Sequence, residues 1–239
     1  MKRMYLIVLT FMVLFASCSS KDSDPFTISA SQISMTADGT QTLTASEAAT
    51  WTSESEFVAT VSAAGLVTGQ HVGETTIRAA AGDKAATCKV NVVPVYYTYT
   101  EPILDFTADK ATIKSKEKRT LYKENGDYLT FKGENSGIVG VIYGFENNKL
   151  HSVAVGVTYS KAEEVANFLK ERYLYVGEKE DMFLFANNSL SLATMAVSLS
   201  VQDGYVMILY IPYTATKSVD ENLAFQKQLS RQMRTMLPK

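Results

Sequence analysis

Few side chains in this chain are of a type that does chemistry. There are two cysteines, Cys18 and Cys88, and two histidines, His71 and His151. Cys18 ends an apolar run, M-V-L-F-A-S at 12–17, and a polar string from Ser19 to Pro25 follows it. A cysteine so placed has three uses: half of a disulfide, a nucleophile, or an anchor. No HExxH, CxxC or paired-histidine spacing supplies a ligand set for zinc, and neither GxSxG nor GxxxxGK[ST] occurs. His151 has no nucleophile that spacing nominates and reads as an exposed strand histidine; His71 reads as a loop residue. Glu163-Glu164 and Glu180-Asp181 are carboxylate pairs of the kind glycosidases use, yet neighbours in a helix do not face each other. Aromatic rings with apolar faces and polar tips can stack on sugars, which makes Tyr96, Tyr97, Tyr205 and Tyr213 the candidate ligand-binding residues. No catalytic residue, metal ligand or cofactor is assigned, and the chain reads as a non-enzyme.

The elements that position these residues begin with a targeting segment. Lys2 and Arg3 precede an apolar stretch from Tyr5 to Ala16, about a dozen residues against the roughly 20 that a membrane-spanning helix needs. An export signal over 1–17 is therefore expected, with the small residues Ala16 and Ser17 before the cleavage point. Without it the chain has 21 basic side chains against 25 acidic ones, which excludes the basic footprint of a nucleic-acid binder. A hydrophobic content of 46% across 239 residues is enough for two cored domains.

Phe15-Ala16-Ser17-Cys18 resembles the lipobox of bacterial lipoproteins, with Phe15 where leucine is commoner. The resemblance implies that Cys18 becomes the first residue and carries diacylglycerol on its sulfur and an N-acyl chain such as palmitate, because two or more chains hold to a bilayer where one does not. It makes the membrane a partner through Cys18 and leaves Cys88, in the strand-like run A-T-C-K-V-N-V-V, as an unpaired buried thiol. Residues 18–25 form a tether whose Asp22 and Asp24 are similar to the acidic string after the lipid cysteine in surface-exported lipoproteins. The expected location is the outer membrane, on the cell surface, with its periplasmic face as the alternative.

Residues 26–94 read as an all-β sandwich of short alternating runs broken by Gly, Asp, Ser and Ala. The stretch from Trp51 to Gly69, then Gly73 to Ile77 and the closing strand Cys88 to Val92, resembles the bacterial Ig-like domain, group 2. Val58, Val61, Leu66 and Ile77 are expected to fill its core beside Trp51, and Gly65 and Gly69 to permit turns. Pro94 to Pro102, P-V-Y-Y-T-Y-T-E-P, is the boundary and reads as a strand packed at the domain junction.

Residues 95–239 read as an α+β domain. Two similar halves are offset by about 53 residues, and the expected order is αβββ-αβββ-α with an antiparallel sheet. Asn147-Asn148 and Asp203-Gly204 suit two-residue turns that need positive φ. Ser160 with Glu163 predicts a capping box for a helix whose apolar face is Val165, Phe168, Leu169 and Tyr173. A last helix from Ser218 carries Phe225, Leu229, Met233 and Met236. Lys114 to Arg119 reads as a solvated helix end. The pattern resembles tandem αβββ modules of the β-lactamase-inhibitor-protein type and implies a binding surface on an open sheet face.

The expectation is thus multi-domain: an Ig-like spacer that presents a protein- or ligand-binding α+β domain from a lipid anchor. The alternatives are a glycan-binding surface lipoprotein that uses the four tyrosines, in an adhesion role, and an enzyme with a site at the domain junction.

Overall fold

The computed structural model describes residues 25–179, 181–202, 204–213, 228–229 and 231–237. Cys18, the tether to Asp24, Asp203, Ser218 and Phe225 lie outside the described residues.

The first seven strands are β1 (Gln32–Met35), β2 (Thr40–Thr42), β3 (Thr50–Ser53), β4 (Ala59–Val61), β5 (Leu66–Gly69), β6 (Gly73–Ala81) and β7 (Lys84–Val92). They form two sheets, β1-β7-β6-β3 and β2-β5-β4, with β1 parallel to β7. Between the sheets lie Ile33, Leu43, Val58, Val67, Ile77, Cys88 and Val90, with Trp51 and Val61 partly buried against them. Cys88 is free, as expected of a core thiol, and burial raises its pKa. One expected core residue is displaced: Leu66 is exposed and Val67 is inside. The cause is Gly65, whose φ of 79° turns the chain so that the odd residues of β5 face inward. A Cβ there would lie 2.2 Å from the Leu43 carbonyl oxygen, so both the backbone angle and the packing require glycine.

Residues 93–108 are an irregular connector, not the expected strand: Pro94 to Pro102 has no ladder partner. The second domain then runs α1 (Lys110–Lys116), β8 (Leu121–Asn125), β9 (Tyr128–Lys132), β10 (Ile138–Glu146) and β11 (Lys149–Thr158). It continues through α2 (Ala162–Lys170), β12 (Leu174–Lys179), β13 (Met182–Ala186), β14 (Met195–Gln202) and β15 (Tyr205–Pro212). Four strands follow each helix, where the αβββ expectation had three. The additional strands β8 and β12 are the two edges of one antiparallel sheet, β12-β13-β14-β15-β11-β10-β9-β8. The domain is mostly β, with short helices.

The register relates the two halves by an approximate two-fold axis between β11 and β15. Val153 pairs with Tyr210 and Val155 with Ile208. Further out, Leu129 faces Tyr143 as Phe183 faces Leu199, and Phe131 faces Val141 as Phe185 faces Val197. Asn147 and Asn148 both have positive φ, 49° and 60°, as the β10–β11 hairpin requires.

Successive residues of the central strands alternate between two cores. Val206, Ile208 and Tyr210 join Ile113 of α1 and Val165, Phe168 and Leu169 of α2 on one face. Met207, Leu209 and Ile211 join Leu229, Met233 and Leu237 on the other. The C-terminal helical residues thus cover the sheet face that α1 and α2 leave open, which narrows the expected open surface. Gly156 lets them close in, since a Cβ there would come within 2.2 Å of Leu237 Cδ1.

The capping box at Ser160 does not form. Tyr159–Lys161 is a 3-10 turn, α2 has no side-chain N-cap, and the Ser160 hydroxyl lies 3.1 Å from that of Thr158. Instead α1 is capped: Asp109 accepts the Thr112 N–H at 2.8 Å.

Candidate functional site

Among the described residues, charged side chains are buried together at two places, neither of which is a histidine or a predicted tyrosine. The first is the domain junction. Glu171 ends α2 because the chain leaves the helix there, and it is nearly buried. Its carboxylate accepts the N–H of Val95 at 2.9 Å and of Tyr96 at 3.1 Å, and its backbone carbonyl accepts the Val72 N–H of the Ig-like domain at 2.7 Å. Arg172 pairs with that carboxylate, donates to the Phe168 and Tyr96 carbonyls, and lays its guanidinium 3.7 Å from the centre of the Phe168 ring. One acidic and one basic residue therefore tie three segments together: the β5–β6 loop, the connector and α2. His71, beside Val72, stacks on Phe57 with centroids 4.1 Å apart, its Nδ1 2.8 Å from the Phe57 carbonyl.

The second place corrects the reading of Lys114 to Arg119 as a solvated helix end. Arg119 is buried among carboxylates, with Nε 2.5 Å from Glu134 and Nη1 3.0 Å from Glu117, and it also donates to the Thr100 carbonyl. Tyr143 donates to Glu117 and accepts the Ile103 N–H at 3.1 Å. Burial disfavours the guanidinium charge, but the hydrogen bond to Glu134 and the field of Glu117 outweigh it and hold the Arg119 pKa above its usual value. Beside this cluster is an open cavity of about 400 Å³ that Lys118, Thr120, Lys132 and Gly133 also line. Both carboxylates here are turned to partners within the protein.

The tyrosines divide between surface and core. Tyr97 is 75% exposed, whereas Tyr96 packs against the main core of the second domain. Tyr205 is half-buried, with the Arg234 guanidinium 4.0 Å above its ring. Tyr213 is half-buried and donates its backbone N–H to Thr194. Tyr205 opens β15 and Tyr213 follows its last residue, which sets them roughly 27 Å apart at about 3.4 Å per residue, so they cannot share one sugar ring. The residues that do converge are others: Tyr99 and Tyr210, with hydroxyls 2.5 Å apart, and Tyr173, which donates to Glu101. Burial pushes all three pKa values well above the ordinary tyrosine range.

This trio sets an alkaline limit. A raised folded-state pKa gives stability that is complete below about pH 10, the unfolded-chain value, and that falls as pH rises beyond it. Each tyrosine then costs about 1.4 kcal/mol per pH unit. The urea midpoint is expected to hold from pH 7 to 9 and fall steeply above 10; an unchanged midpoint at pH 11 would contradict the trio's burial.

His151 lies on β11, its side chain 35% exposed and its Nε2 3.6 Å from Glu146. Among the described residues no group of three His, Cys, Asp or Glu side chains is placed to hold a metal. Among them, too, no helix is long and apolar enough to cross a membrane.

The fold is thus that of an Ig-like sandwich joined to a wide antiparallel sheet domain. Residues 22–90 match the bacterial Ig-like domain, group 2, and this segment of the chain is such a domain. The rest of the chain lies outside that match. No curated protein matches the chain. Among solved structures, domains 5–6 of the S-layer protein SbsC are 15% identical with a TM-score of 0.26, over 81% of this chain and 86% of that one. A structure of SbsC domains 4–9 is 14% identical with a TM-score of 0.27, over 81% of this chain and 27% of that one. Likenesses of that size bear on neither the location nor the partners of this chain.

Proposed function

We propose that the chain is a lipid-anchored cell-envelope protein without catalytic activity. Its Ig-like domain is a spacer that holds the eight-stranded domain outward to bind a protein ligand. The observation that carries this reading is the sequence from Lys2 to Cys18: a positive start, an apolar run too short to span a bilayer, small residues, then cysteine. The Glu171–Arg172 clamp supports the spacer role, because its bonds to the connector and the bond from Val72 of the Ig-like domain to the Glu171 carbonyl resist bending between the domains. The charges of the two buried arginine–carboxylate groups are spent on contacts within the protein, so neither group is offered as a catalytic site.

Replacing Cys18 with alanine is expected to shift the protein from the membrane fraction to the soluble fraction and to abolish incorporation of labelled palmitate. Retention of the variant in the membrane fraction would refute the anchor. Protease shaving of intact cells then tests the surface: loss of the full-length band supports outward display, and full protection supports the periplasmic face.

A further inference from the structure

The first and last strands of the Ig-like domain are joined to each other. β1 and β7 run parallel with four residues in register, Gln32 to Met35 against Lys89 to Val92. Backbone bonds bracket this ladder: Lys89 donates its N–H to the Ser31 carbonyl at 2.9 Å, and Val93 donates to that of Met35 at 2.8 Å. The chain therefore enters the domain at one end of the pair and leaves it at the other. Tension along the chain pulls β1 back past Gln32 and β7 forward past Val92. It slides the strands along each other and loads every bond of the ladder at once. Antiparallel end strands would have both exits at one end and would part bond by bond.

Side chains oppose the slide as well. Ile33, Val90 and Val92 are buried in the core of the domain, and Met35 packs against it. A slip by one residue would turn Ile33 out and the exposed Ser34 in. Where β7 ends, the tension is passed on with little slack. Val93 makes the last ladder bond, Pro94 has a fixed φ, and the N–H groups of Val95 and Tyr96 are held by the Glu171 carboxylate. Only Pro94 lies between the ladder and the first bond to the second domain.

We propose that the Ig-like domain is a tension-bearing link, and that the β1–β7 ladder keeps it folded when a bound partner is pulled away from the anchor. The property at stake is the rate of unfolding under force, which the equilibrium stability does not fix. The proposal deepens the spacer reading above and rests on it, since the lipid-held N-terminus and the partner-bound second domain are the ends between which tension acts.

The test compares two directions of pull on one fold by single-molecule force spectroscopy. The full-length Cys18→Ala protein is held by its amino terminus and by a cysteine handle, Asp83→Cys in one variant and Tyr97→Cys in the other. Both positions are exposed, whereas Cys88 is buried and takes no handle. Tyr97 lies beyond the Val92 end of the ladder, so pulling there shears it. Asp83 sits in the β6–β7 turn, on the Gln32 side, so pulling there peels β1 away from its first residue. The unfolding force is expected to be about threefold higher or more from Tyr97, the bonds sharing the load in one case and bearing it singly in the other. Equal forces, or a higher force from Asp83, overturn the proposal. Melting curves confirm that both variants are folded alike; if either melts early, Lys84→Cys and Val95→Cys form the second pair, with the same expected ratio. The forces do not depend on the lipid. Equal forces together with release by Cys18→Ala remove this inference alone, whereas a threefold ratio with membrane retention of Cys18→Ala removes the envelope reading and leaves the resistance of the ladder standing.

Discussion

Glu171→Ala is expected to separate one cooperative thermal transition into two, with the junction weakened by about 3–5 kcal/mol, the usual cost of removing one partner from a buried ion pair. The side chain is only 7% exposed, and its loss strands the N–H groups of Val95 and Tyr96 along with the Arg172 guanidinium. Each stranded N–H costs about 1–3 kcal/mol if water does not reach it. The Glu171 backbone carbonyl, which accepts the Val72 N–H, survives the substitution, so the domains stay adjacent but lose their fixed angle. Glu171→Gln keeps an acceptor oxygen and is expected to lose less. Calorimetry, with limited proteolysis of the connector, checks the result. A single transition within about 0.5 kcal/mol of wild type, the range of an ordinary surface substitution, would show that the carboxylate does not hold the junction.

The second large effect is expected at Arg119. Arg119→Met removes the cation from a group in which Glu117 and Arg119 have side chains only 4% and 7% exposed, and a loss of about 3–5 kcal/mol is expected. The variant leaves Glu117 charged beside the Tyr143 hydroxyl, and frees Glu134 and the Thr100 carbonyl. The diagnostic is non-additivity. Adding Glu117→Gln to Arg119→Met is expected to restore part of the stability, since the second change removes the charge the first left unpaired. Urea denaturation of the four proteins of the cycle measures this coupling. Strict additivity would mean that solvent, not Arg119, stabilises Glu117.

These two clusters were hidden in the sequence because nothing local distinguishes their members. Glu171-Arg172 follows a helix with an apolar face, and a charged dipeptide at a helix end is the ordinary way to meet solvent. Lys114 to Arg119 has the same appearance, and only the arrival of Glu134 and Thr100 from elsewhere buries the arginine. The edge strand β8 was missed for a related reason. Every residue from Leu121 to Asn125 is exposed, so the hydrophobic alternation that reveals a half-buried strand is absent. Its Lys123 and Glu124 are the charges that keep an edge from pairing with another chain. The capping box failed because the 3-10 turn at Tyr159–Lys161 carries Ser160 out of the N-cap position.

The sequence by itself determined what depends on near neighbours. Alternating apolar residues specified β7, apolar runs between turn residues specified β9, β11 and β15, the Asn147-Asn148 pair specified a hairpin, and the helical period placed Val165, Phe168 and Leu169 on one buried face. The bacterial Ig-like domain was legible because the residues that carry the resemblance, from Trp51 to Val92, lie along one continuous segment. Only the tertiary structure decided what depends on distant partners: which core the connector joins, which face the C-terminal helical residues take, and which charges meet. The physical reason is that burial belongs to the assembled surface. Leu129 and Phe183 occupy matching places in matching strands, yet Leu129 is buried and Phe183 is 39% exposed.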